Sequence, residues 1–170
     1  MLNLDPWTVL WTGINLVVLY LLMRHFLFKP VTAMVVLTGM YLGAESGFLC
    51  GALTAILSNI LFGQGPWTPF QMMTWGIIGL LSALFSRWLQ KSRWFLAGFG
   101  ALAGVLFSLI MDVWTGFGFG DGFSLPRYWA AVAAALPVTA VYAGSNVIFL
   151  LVLAKPIGEK IRRVIEKYGV

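Results

Sequence analysis

Long apolar runs, broken by short polar or turn-forming stretches, organise this chain. Six apolar segments can be marked, at about 7–23, 31–44, 46–62, 70–89, 94–113 and 129–153, each delimited by Gly, Pro or charged residues. A helix needs roughly 17–25 residues to cross a bilayer, so five of the six are long enough and the second is short. After the sixth, Ile157, Ile161, Val164 and Ile165 recur at helical spacing opposite a charged face. With Pro156 suited to a first helical turn, this predicts a short interfacial helix closing the chain.

Between the third and fourth segments the pattern changes most sharply. From Asn59 to Gly76 the chain carries Gly63, Gln64, Gly65, Pro66, Trp67, Thr68, Pro69, Gln71 and Trp75. Gly and Pro make the turn. The amides and indoles need water, protein or a ligand to satisfy them, which makes this loop the first candidate for a binding site.

Composition settles the solvent. The chain is 60% hydrophobic and 10% charged, whereas a soluble domain needs a surface that is roughly 25–35% charged. The fold expected is therefore an all-α integral membrane protein, a six-helix bundle in one domain over 1–170. It divides into a first helix (1–30), a core (31–153) and a basic tail (154–170). Asp5 stands where a signal peptide would be basic, so the first segment is expected to remain in the membrane.

Charge sets the expected orientation. With six spans, Arg87, Lys91, Arg93, Lys155, Lys160, Arg162, Arg163 and Lys167 share one side, eight of the eleven Lys/Arg. Arg24, Lys29 and Arg127 lie on the other. Both termini are then cytoplasmic and the uncharged 63–69 loop faces outward, in a multi-pass plasma-membrane protein. The basic tail reads as topology with weak attraction to anionic lipid, not as a nucleic-acid surface.

Several activities are excluded. There is no G-x-x-x-x-G-K-[ST] loop, so the chain does not hydrolyse ATP itself. His25 is the sole histidine and Cys50 the sole cysteine, which leaves no metal centre, no disulfide and no Ser-His-Asp triad. The six acids form no pair suited to acid–base work. No enzyme and no cofactor are expected; the chain reads as a binder or conduit.

Polar residues at membrane depth are functional candidates. Gln71 and Trp75 share a helix face, as do Tyr142 and Asn146. The candidate substrate-binding set is Asn59, Gln64, Gly65, Trp67, Thr68, Gln71, Trp75, Asp112, Trp114, Tyr142 and Asn146, a group of amides and indoles with one carboxylate that suits a mostly apolar pocket with polar anchors. Alternative roles are interfacial aromatics, interhelical hydrogen bonds, and an Asp112–Arg127 pair. Gly39, Gly43, Gly47, Gly51 and Ala55, with Gly100 and Gly104, recur every four residues, a spacing that lets helices approach closely.

From Pro30 onward the sequence resembles a known family. The pieces are Pro-Val-Thr-Ala at 30–33, Gly-Phe-Leu-Cys-Gly-Ala-Leu at 47–53, Phe-Gly-Gln-Gly-Pro-Trp-Thr-Pro-Phe-Gln-Met at 62–72, Met-Asp-Val-Trp at 111–114 and Asn-Val-Ile-Phe-Leu-Leu at 146–151. Over about 30–165 they resemble S components of energy-coupling factor (ECF) transporters, with the cobalamin-type branch looking closest. The resemblance implies a vitamin-binding subunit whose pocket opens outward. It also implies a transmembrane coupling subunit and two cytoplasmic ATPases as partners, and a toppling motion that releases the vitamin inside. Residues 1–30 contain no alanine, whereas such proteins carry an Ala-rich first helix that docks on the coupling subunit; these residues instead resemble the membrane anchor of an ATP synthase b subunit. A structural membrane subunit assembling through that helix, or an autonomous carrier or channel, are the rival readings.

Overall fold

A computed structural model describes residues 30–118 and 122–168. These residues form six helices: α1 (Val31–Leu42), α2 (Ala44–Phe62), α3 (Thr68–Leu84), α4 (Ser86–Lys91), α5 (Arg93–Phe117) and α6 (Leu125–Tyr168). The expected first span, at 7–23, lies outside the described residues. Three helices, α2, α5 and α6, are long and apolar enough to cross a membrane, while α1 is apolar but shorter. At 1.5 Å per residue α1 reaches only ~18 Å, about three-fifths of the thickness of a bilayer's hydrocarbon core.

The surface faces hydrocarbon. Leu49, Leu53, Leu57, Ile60 and Leu61 on α2 and Leu80 and Leu84 on α3 are exposed, an apolar patch that water would not tolerate. Inside, Val36, Leu37, Ile78, Leu96, Phe99, Ala103 and Leu150 form a core shared by α1, α3, α5 and α6. Polar side chains within it are satisfied locally: Thr74 donates to the Phe70 carbonyl and Ser82 to the Gly79 carbonyl. All-α membrane architecture is what the hydropathy predicts.

Glycine lets α1, α2 and α3 meet almost backbone to backbone. Gly43 turns α1 into α2 at φ 94°, a conformation that favours glycine. On either side of the turn, Gly39 and Gly47 lie against Gly79 of α3; a Cβ on Gly47 would fall 2.6 Å from the Gly79 oxygen. One step further along, Gly51 lies against the backbone of Trp75. Gly104 likewise brings α5 onto α6 at Tyr142 and Ala143. The small-residue spacing therefore serves internal packing.

Two boundaries differ from expectation. The tail is not a separate helix: α6 runs unbroken to Tyr168, with Pro137 and Pro156 inside it. Proline removes a helical hydrogen bond but the remaining ladder carries the helix through. Segment 70–89 is two helices, α3 and α4, divided at Phe85. The ends of the bundle are then clear. The 63–67 loop, Gly118 and residues 122–124 lie at one end, while Gly43, Phe85, Ser92 and the basic part of α6 lie at the other.

Candidate functional site

The loop after α2 closes on itself through side chains. Gly63 ends α2 at φ 113°, its N–H bonded to the Asn59 carbonyl. Trp67 folds its ring over Gly65, where a Cβ would collide with the indole. Pro in the first turn of α3 costs no helical bond, so α3 begins at Thr68, slightly before the expected start.

Beneath the loop lies a chain of amides. Asn59, 6% exposed, donates through Nδ2 to Thr68 Oγ1 and Gln71 Oε1, both at 2.8 Å. Thr68 in turn donates to Gln64 Oε1 at 3.0 Å, and Gln64 Nε2 reaches the Ile56 carbonyl at 3.4 Å. The loop is thus tied to α2 and α3 by hydrogen bonds, and the far end of the network is the Gln71 amide. Asn59→Leu should lower stability by about 1–2 kcal/mol by stranding the partners of this amide. Thermal unfolding in detergent measures it; an unchanged melting temperature would mean that Gln71 and Thr68 are held by other contacts.

Gln71 opens onto a small cavity of about 100 Å³. Its wall includes Thr32 from α1, Gln71 and Trp75 from α3, Phe107 from α5, and Tyr142, Ser145 and Asn146 from α6. The Trp75 indole donates to Thr32 Oγ1 at 3.3 Å and stacks on Phe107, with centroids 5.3 Å apart and planes 28° from parallel. Phe107 meets Tyr142 edge-on at 5.6 Å. Three aromatic rings in series thus stand beside the amides of Gln71 and Asn146. Four helices meet here, with Gly104 permitting the approach of α5 to α6.

Of the expected set, Gln71, Trp75, Tyr142 and Asn146 line this cavity, and Asn59, Gln64 and Thr68 reach it through hydrogen bonds. Gly65 and Trp67 form the loop above. Asp112 and Trp114 do not line it. Trp114 packs with Phe70 at 5.8 Å, in a group of rings that continues to Phe117 and Phe123. Asp112 Oδ2 is buried without a hydrogen-bond partner, while Arg127 donates to the Phe117 carbonyl. Val31, Thr32, Gly104, Phe107 and Ser145 complete the wall. Of these, Ser145 stands out as a hydroxyl within a span, and Phe107 has no sequence signal at all.

A larger cleft of about 330 Å³ between α3 and α5 is lined by hydrocarbon, including Ile78, Leu81, Phe99, Leu102 and Leu106. It offers nothing to orient a polar ligand. Among the described residues no group of His, Cys, Asp and Glu is placed to hold a metal.

The family model described as "ECF-type riboflavin transporter, S component" matches residues 8–163. The chain belongs to this family. The S component is the substrate-binding membrane subunit of an ECF-type vitamin transporter and not an enzyme. The matching model is of the riboflavin type, which corrects the cobalamin-type branch suggested by the sequence. The match starts well before Pro30, so the family likeness takes in most of the first segment as well as the core. Neither the curated proteins nor the solved structures give a match to this chain.

Proposed function

We propose that this S component captures riboflavin, or a closely related flavin, from outside the cell at the Gln71–Trp75–Phe107–Tyr142–Asn146 cavity. The observation that carries the reading is the stacked Trp75–Phe107 pair, with Tyr142 edge-on to it, flanked by two amides. A flavin is a flat aromatic system with a polar, hydrogen-bonding edge; stacking on indole and phenyl rings supplies affinity, and carboxamides at the edge supply orientation.

Ligand pockets commonly hold 300–1,000 Å³, well above the 100 Å³ present here. Admitting a flavin therefore requires this cavity to widen, by separation of α5–α6 from α1–α3 or by movement of the 63–67 loop. That loop is held mainly by side-chain hydrogen bonds, which exchange more readily than a packed core. Both termini face the cytoplasm in this reading, and the loop faces outward. Delivery inward uses a transmembrane coupling subunit and two cytoplasmic ATPases, which supply the difference in affinity between outward and inward states.

Riboflavin fluorescence tests the proposal directly. Titrating the purified chain into riboflavin should quench the flavin emission in a saturable way and raise the melting temperature, whereas cobalamin, thiamine and biotin should do neither. Saturating riboflavin with no quenching and no thermal shift would sink it.

A further inference from the structure

At the end of the bundle opposite the loop, a second cleft of about 340 Å³ lies among α1, α4, α5 and α6. Its lining includes Lys91, Arg93, Lys155 and Arg162 against one carboxylate, Glu159. Its floor is apolar and rigid: Met40, Leu89 and Leu96 are buried. We propose that this cleft is a binding site for the phosphate headgroup of an anionic phospholipid.

One of the cations, Arg162, is held in place. Gln90 Nε2 donates to the Met40 carbonyl at 3.1 Å, and Gln90 Oε1 accepts from Arg162 at 2.8 Å. The Arg162 guanidinium also lies over the Tyr41 ring, 5.4 Å from its centroid. Arg162 is thereby fixed across the gap between α6 and α1, with further N–H groups available to an anion, and guanidinium suits phosphate geometry. Lys91 and Arg93 flank the turn at Ser92, beside the N-terminus of the 25-residue α5, whose dipole also favours negative charge.

Depth selects lipid over a soluble anion. Trp88 and Trp94, on either side of Lys91 and Arg93, are exposed, the latter at 88%. Exposed tryptophans on an apolar bundle mark the headgroup level. The cleft thus opens where a phospholipid presents its phosphate, and basic clefts between spans are suited to such headgroups.

The test uses the full chain in nanodiscs of phosphatidylcholine with or without phosphatidylglycerol, followed by native mass spectrometry and thermal unfolding. Phosphatidylglycerol should be retained and should raise the melting temperature. K155Q/R162Q should weaken retention on the order of tenfold or more, and so should K91Q/R93Q, which leaves the Arg162–Gln90 contact intact should the first variant fold poorly. K160Q/R163Q, which removes the same charge outside the cleft, should retain the lipid as wild type does. Equal retention by all three variants would overturn the site. Stabilisation of the lipid-free chain in detergent by inorganic phosphate, equal to that by phosphatidylglycerol, would overturn its assignment to lipid.

Discussion

Gly79→Ala should destabilise the S component by about 3 kcal/mol or more, at the upper end of what overpacking does. The clash is with backbone: a Cβ at Gly79 meets the carbonyl and Cα of Gly47, and the Gly79 oxygen is itself packed against Gly39. Flexible side chains can swing aside, but a helical carbonyl moves only with its helix. Nor can a large-to-small change opposite restore the fit, because both opposing residues are already glycine. Relief requires α1 and α2 to retreat from α3, which would pull Thr32 from Trp75 and disturb the cavity. Gly98→Ala is the control: nothing lies within 4 Å of its Cβ position, and alanine is the better helix former by about 1 kcal/mol. Unfolding of both variants in detergent should show a large loss for Gly79→Ala and none for Gly98→Ala. Equal stabilities would show that the three helices do not cross at glycine.

The same glycines show what a sequence of this kind makes legible. In an apolar chain, small and polar residues are the exceptions, and exceptions carry information. Gly47, Gly51 and Gly104 mark close helix contacts, and Gln71, Trp75, Tyr142 and Asn146, which stand out because amides and indoles need partners within a bilayer, line one cavity. Phe107 could not be singled out: a phenylalanine in an apolar run looks the same whether it faces lipid or a ligand. Asp112 and Trp114 stood out for equally good reasons yet line no part of the cavity, since span depth alone does not fix which way a helix face turns. Proline misled at Pro156, where it signals a helix start locally but is accommodated inside α6. The branch of the family was misread for a related reason. The motifs that carry the resemblance are largely the glycines and loop residues that build the scaffold, and cavity-wall residues such as Phe107 and Tyr142 lie outside them.

Trp75→Ala should weaken riboflavin binding by about a hundredfold, the scale of losing a buried aromatic anchor worth 2–3 kcal/mol. Trp75 joins three features of the site: its ring stacks on Phe107, its Nε1–H is bonded to Thr32, and its backbone is the surface against which Gly51 packs. Alanine preserves the last and removes the first two. Because truncating a buried tryptophan also costs about 3–5 kcal/mol of stability, loss of binding by this variant alone would not separate a site residue from a core residue. Trp75→Phe separates them. It keeps a ring against Phe107 but has no N–H for Thr32, so affinity should fall only about three- to tenfold, the net value of one hydrogen bond. Thr32→Val, which removes the acceptor and leaves the indole in place, should give a loss of similar size. Flavin quenching titrations on the three variants, each read beside its ligand-free melting temperature, distinguish the cases. If affinity follows the order wild type, then Phe and Val, then Ala, while Thr32→Val loses only the roughly 1–2 kcal/mol of stability that stranding the indole N–H costs, the stacked indole is part of the binding surface. If Trp75→Ala remains folded and binds riboflavin as wild type does, the vitamin sits elsewhere.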